Sequence, residues 1–189
     1  NLNVSIQTNA VKTQYDDVTI ENLKGNLVIQ NGSLQLSNSS LGIIGATAKM
    51  DAFYKNEGTQ KAYFDYKINA SEFDIKRAYN EIKMFREIVT AAESAEGIVG
   101  LNYSIKGVLN NQMAPVMPSL EGSGTLSVKK VKMKGFKLLN VVSTKTENPD
   151  IKDPDISKVD IKSTIKNNIV TIERFKFKLA GFRLQFEGQ

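Results

Sequence analysis

Apolar and polar residues alternate along most of this chain, the two-residue period of strands with one face buried and one wet. The beat starts at Leu2, Val4 and Ile6 and returns at Val18-Ile20 and Leu27-Ile29. It then crosses Asn31-Gly32, a pair that tolerates left-handed backbone and suits a tight hairpin. Leu34-Leu36 follows, then a run of small residues to Gly45. Ala46, Ala48, Met50, Ala52 and Tyr54 alternate into a turn at residues 55–58, and Ala62, Phe64, Tyr66, Ile68 and Ala70 come back from it. Links this short cannot make parallel crossovers, so residues 1–70 read as an antiparallel meander.

The period then changes. Ile75, Ala78, Tyr79, Ile82, Phe85, Val89 and Ala92 are spaced three and four apart, one face of an amphipathic helix near 72–96. Ser71 or Asp74 is placed to cap its start, and Gly97 to end it. One such stripe cannot cover a sheet of many strands, so most of the sheet needs another partner. Strands resume at 98–109, and residues 110–119, with Pro115 and Pro118, read as a loop. Leu120, Gly122, Gly124, Leu126 and Val128 alternate, then Val131 and Met133, with glycines that permit bending or close backbone approach. Phe136, Leu139 and Val142 predict a short helix near 136–144. Residues 145–158, holding Pro149 and Pro154 among acids, read as an exposed loop.

The last stretch alternates most strongly. Val159-Ile161 and Ile165 lead into an Asn167-Asn168 turn, then Val170 and Ile172, a break at Glu173-Arg174, and Phe175, Phe177 and Leu179. A turn at Ala180-Gly181 brings in Phe182, Leu184 and Phe186. Sliding the chain by 136 positions lays Leu34, Leu36, Ala48 and Met50 on Val170, Ile172, Leu184 and Phe186, with few identities, so the two stretches share at least a hairpin grammar. These twelve residues are the candidate lining of a core or an apolar groove. Two arrangements satisfy the pattern: a two-sheet sandwich that seals them, or one sheet curved around an apolar face that stays open.

Composition narrows the chemistry. At 189 residues, 41% hydrophobic and 24% charged, the chain suits one globular domain, 1–189, with a real core. Asn1 opens directly into an alternating run and Gln189 stops one residue beyond a strand, which reads as a piece of a longer protein. With no histidine and no cysteine, the usual general base, the usual zinc ligands and the Ser-His and Cys-His nucleophile pairs are missing. No cofactor or enzyme motif is expected: Gly122 and Gly124 sit in a strand pattern and make no phosphate cradle, and Asp150, Asp153 and Asp155 fit no calcium loop. The net charge of +5 is mostly lysine, much of it on wet strand faces at Lys130, Lys132, Lys134, Lys176 and Lys178. Such lysines discourage edge-to-edge pairing, whereas nucleic-acid binders gather bases with stacking aromatics, so no nucleic-acid partner is expected.

From Phe73-Asp74-Ile75 through the helix, then GIVGLNYSIKGVLN, MAPVMPSLEGSGTLSV and the terminal IKNNIVTIERFKFKLAGFRLQFEG, the chain resembles the C-terminal region of AsmA-like proteins, nearest the Bacteroidetes type. The carriers of the likeness are the helix, a strand pair, Leu120-x-Gly122-x-Gly124-x-Leu126, a short helix and the final hairpins. It covers most of 70–189 and, more weakly, 1–69. The resemblance implies an α+β, mainly β fold: a curved antiparallel sheet forming an open groove or half-barrel, related to the TamB-like bridge lipid carriers. It implies a non-enzymatic periplasmic segment of a protein tethered to the inner membrane by an anchor outside this chain. Its implied partners are phospholipid or another lipid and envelope assembly proteins, in support of outer-membrane biogenesis.

Overall fold

Ten antiparallel strands lie in one sheet in chain order, each hydrogen-bonded to the next. They are β1 (Asn3–Tyr15), β2 (Val18–Gln30), β3 (Ser33–Ile43), β4 (Ala46–Asn56), β5 (Ala62–Asp74), β6 (Ala95–Leu109), β7 (Glu121–Met133), β8 (Asp155–Lys166), β9 (Ile169–Leu179) and β10 (Phe182–Gly188). The structure is a computed structural model that describes residues 3–15, 18–58, 61–135, 137–179 and 182–189, with backbone alone at 15, 138, 157, 179 and 182. Leu2, Phe136 and the Ala180-Gly181 turn lie outside the described residues. The sheet is curved and does not close on itself, and no second sheet packs on it among the described residues, so the sandwich arrangement is not formed.

The pairing carries a repeat. In β2 to β4, Leu27↔Leu36, Ser39↔Met50, Leu41↔Ala48 and Ile43↔Ala46 face each other. Raising every number by 136 gives Ser163↔Ile172, Phe175↔Phe186, Phe177↔Leu184 and Leu179↔Phe182, which are the pairs of β8 to β10. The register skips between Leu36 and Ser39, and again opposite the Phe186–Gly188 step, where Glu173 and Arg174 stand against the single residue Glu187. The first strand joins in at another offset. With β1 raised by 118, Val4↔Ile29 becomes Gly122↔Ile165 and Ala10↔Leu23 becomes Val128↔Val159. Asn22 and its counterpart Lys158 both hold positive φ, 49° and 55°. Two four-stranded units of like register thus flank the β5–β6 pair. They differ at one seam. The β2–β3 ladder runs on to Ile20↔Ile43, whereas the β8–β9 ladder stops at Ser163↔Ile172 although both strands continue.

Between β5 and β6 the expected single helix is three short turns: α1 (Ile75–Glu81), α2 (Lys83–Ile88) and a 3-10 turn at Thr90–Ser94. Asp74 caps α1, its carboxylate accepting from the Arg77 N–H at 2.9 Å. The backbone leaves the helical region at Ile82 (φ −115°, ψ 103°) and Val89 (φ −108°, ψ 64°), both β-branched and so weak helix formers. Apolar residues three and four apart still face the sheet, because each break re-aims the next turn along its curve. Arg86 Nη1 crosses the first break and donates to the carbonyls of Asn80 (3.1 Å) and Tyr79 (3.4 Å). Gly97 does not end a helix. It lies inside β6 at φ 135°, where a Cβ would collide with the Lys130 carbonyl at a register skip between Ile98 and Val99. The second helix, α3, spans Lys137–Thr146.

Such skips bend a strand and increase its twist. They recur in β2, β3, β5, β6–β7 and β9–β10, and they give the sheet its curvature. The glycines of β7 serve a closer purpose. Tyr103 of β6 faces Gly124, and a Cβ there would collide with its ring and with the Asn102 carbonyl, while at Gly122 a Cβ would lie 3.2 Å from the ring. Gly124→Ala is therefore expected to cost about 1–3 kcal/mol by overpacking. Ser123→Ala, one residue away on the exposed side, is expected to cost less than about 0.5 kcal/mol. Paired thermal or urea melts measure the difference, and equal losses would refute the account of the glycines.

Candidate functional site

Because every ladder is antiparallel and side chains alternate, register decides which residues share a face. One row runs Ile6, Leu27, Leu36, Ala52, Tyr66, Ile105, Gly122, Ile165 and Val170 across nine strands, each directly opposite the next. A neighbouring row runs Leu41, Ala48, Ala70, Leu101, Leu126 and Ile161. The result is a continuous apolar face, with Phe64, Val99 and Leu120 wholly buried on it.

The middle of that face is occupied. Ile75, Ala78 and Ala92 are buried in the main apolar cluster, with Tyr79, Ile82, Phe85 and Val89 packed against it. Phe85 meets Phe73 edge-on at 6.0 Å. Met84 and Ile88 reach a second cluster around Phe64, Leu109 and Leu120, which the 110–120 loop covers through Met117. The flanks are less covered. Ile6 on β1 and Leu34 on β3 are 43% and 37% exposed, and Phe186 on β10 is 36% exposed.

The predicted lining residues share this face but stand on its two flanks. Leu36 and Ala48 are buried, Met50 is half-buried, and Leu34 is exposed on the β3–β4 side. Val170, Ile172, Phe175, Phe177 and Leu184 are half-buried on the β9–β10 side. There Phe175 stacks on Phe177 at 5.6 Å and meets its cross-strand partner Phe186 at 5.7 Å. The side chains of Leu179 and Phe182 lie outside the described residues, although their backbones pair. Sequence reasoning missed Ile6, Tyr66, Tyr103 and Ile105 as members of the same face. Alternation marks each of them as inward, but only register shows that they line up with the predicted residues.

Polar groups on the face are few; the Thr8 hydroxyl, beside Ile6 on β1, is buried without a hydrogen-bond partner, whereas that of Tyr103 is matched. The Tyr103 hydroxyl reaches over Gly124 to the Ser163 hydroxyl, 3.1 Å away in the same row. Burial pushes the Tyr103 hydroxyl above its ordinary pKa, with the Ser163 hydrogen bond opposing. On the other face Asp65, Lys106 and Glu121 lie opposite one another, with Lys106 and Glu121 ion-paired at 3.1 Å, beside a hollow of about 510 Å³. The Glu121 hydrogen bond and charge, then Tyr63 and Asp65, raise the Lys106 pKa, so this ladder compensates itself.

Asp150, Asp153 and Asp155 line a hollow of about 470 Å³ with Pro149, Lys152 and Pro154. Among the described residues no three acids gather to hold a metal ion, and no helix is long and apolar enough to cross a membrane. What this face can do chemically is solvate alkyl groups. No family model matches the chain, and no curated protein or solved structure matches it.

A raised folded-state pKa contributes stability that is whole below the unfolded value and is lost as pH climbs through the folded one. Tyr103 is thus expected to titrate late and to weaken the fold on the alkaline side. In a titration followed by phenolate absorbance, Tyr103→Phe should remove a component that ionises above the ordinary tyrosine range. Loss of an early component instead would contradict the buried setting.

Proposed function

We propose that this chain is a non-enzymatic carrier segment that holds lipid acyl chains on the flanks of its apolar face. The observation that carries the reading is that one apolar surface spans the sheet with no second sheet over it and with Ile6, Leu34 and Phe186 left exposed at its sides. Moving an acyl chain from a bilayer into water costs about 0.8 kcal/mol per CH₂, on the order of 13 kcal/mol for about sixteen carbons. A carrier need not bind tightly. It has only to offer an apolar track that nearly cancels this cost. Alternating strands supply such a track, and Tyr103 with Ser163 satisfies one of its polar interruptions internally. Phospholipid is the cargo that fits the reading, with headgroups in water beside the strands.

The setting proposed for it is the periplasm, tethered to the inner membrane by a segment outside this chain. There it passes lipid between envelope membranes and supports outer-membrane assembly, as the resemblance to AsmA-like proteins implies. A second reading has one observation in its favour: among the described residues β1 and β10 each pair on one side only, which leaves a strand edge for a protein contact with assembly machinery.

Organic extraction of the purified chain, followed by mass spectrometry, tests the first reading. Phospholipid is expected to co-purify. Leu34→Glu and Phe186→Glu, one on each flank, are each expected to remove about half of it and together to reduce it at least about tenfold, since a carboxylate cannot be desolvated against alkyl chains, with circular dichroism unchanged. Phe64→Glu, in contrast, should unfold the chain. A wild-type extract empty of lipid, with no uptake of a fluorescent fatty acid, would leave only the scaffold reading.

A further inference from the structure

The β7–β8 connection holds far more chain than its place in the sheet requires. Residues 134–153 separate Met133 from Pro154, whose carbonyl accepts the Met133 N–H at 3.0 Å. The matching positions in the first unit, Tyr15 and Val18, are paired with only Asp16 and Asp17 between them. The flanking strands keep the same register in both units, so the longer excursion does not set it.

Its composition is one-sided. Residues 122–146 include Lys129, Lys130, Lys132, Lys134, Lys137 and Lys145 and no Asp or Glu. All six lysines are exposed, and among the described residues only Lys134 is ion-paired, to Glu96 at 2.6 Å. In α3, Ser143 is turned inward, its hydroxyl donating to the Asn148 carbonyl at 2.8 Å. Lys137, Val141 and Lys145 follow one another at helical spacing on the outer side with Val142 beside them. Val141 is 54% exposed and Val142 36%. The acids Glu147, Asp150, Asp153 and Asp155 come only after the helix, and the Asp153 carboxylate is engaged by the Gly135 N–H at 3.0 Å.

Apolar residues set between lysines on a short helix match an anionic bilayer: the lysines meet the headgroup charge and the valines enter the boundary beneath. We propose that α3 is the foot by which this chain rests on an anionic membrane surface. It hangs from the end of the sheet at which β8 and β9 part, so a bilayer under α3 lies at the mouth of the Phe175–Phe177 flank. The proposal rests on the lipid-carrier reading for its purpose, but not for its test.

The measurement is co-sedimentation at low salt with vesicles of phosphatidylcholine, with and without phosphatidylglycerol. Binding is expected only where phosphatidylglycerol is present. Each lysine near such a surface accounts for about fivefold in partitioning, so Lys137→Gln with Lys145→Gln should weaken binding on the order of twentyfold. Lys49→Gln with Lys162→Gln, the same charge change on the polar face of the sheet, should weaken it by less than about threefold. Val141→Asp with Val142→Asp, and replacement of 134–153 by Asp-Asp, should abolish it. If the excision variant does not fold, the surface substitutions decide.

Equal losses from both lysine pairs, equal binding to pure phosphatidylcholine, or equally tight binding to duplex DNA would each overturn the proposal. Vesicle binding with neither co-purified phospholipid nor fatty-acid uptake would remove the carrier reading and leave the foot. Co-purified phospholipid without vesicle preference would do the reverse.

Discussion

Apolar side chains lie directly opposite one another across strand after strand, and each such residue gains about 1.5–3 kcal/mol only if something keeps water from it. In a sandwich a second sheet does this. Here the work is divided between curvature, the turns α1 and α2, and the 110–120 loop. Register skips bend the strands towards their own apolar side. Gly124 is bare so that Tyr103 can lie across β7, and the breaks at Ile82 and Val89 let three short turns follow a curved surface that one straight helix would span as a chord. These departures from regular structure answer a single demand: one greasy side, covered from within the same chain.

Much of this was legible in the sequence, for stated reasons. Asn31-Gly32 and Asn167-Asn168 announced hairpins because left-handed backbone selects those residue types, and all four hold positive φ. The alternation of Ala46 to Tyr54 and Ala62 to Ala70 gave the meander because burial on one face leaves no other pattern. The broken helix was not legible, since apolar residues spaced three and four apart look alike in one helix or three turns. Gly97 misled because glycine serves a strand bulge as readily as a helix end. The offset of 136 could be seen, but few identities support it, and only the pairing shows that register is what the two units share. The offset of 118 was hidden by the longer β7–β8 connection. For the candidate site, alternation supplied the right face and missed its layout: the predicted residues divide between two flanks, with Tyr66, Tyr103 and Ile105 in the rows between.

The division bears on how such a surface would be used. Filled centrally and less covered at the sides, it presents two narrow apolar strips and not one wide trough. Each is bordered by an edge strand, and the polar face behind them carries charges of both signs, some of them paired, as Lys106 is with Glu121 and Arg174 with Glu187. On the carrier reading proposed above, selectivity would come from shape and chain length, because few polar groups lie on these strips.

The early end of the β8–β9 ladder has a mechanical meaning. Only Ser163 to Lys166, paired with Ile169 to Ile172, hinge the last two strands to the other eight; below that point only side-chain packing, Phe175 and Phe177 foremost, keeps the leaf shut. Swinging it outward breaks no backbone ladder elsewhere, so this flank is held by fewer backbone hydrogen bonds than the other. Two flanks of like register are thereby held unequally, one by a full ladder and the other by four residue pairs.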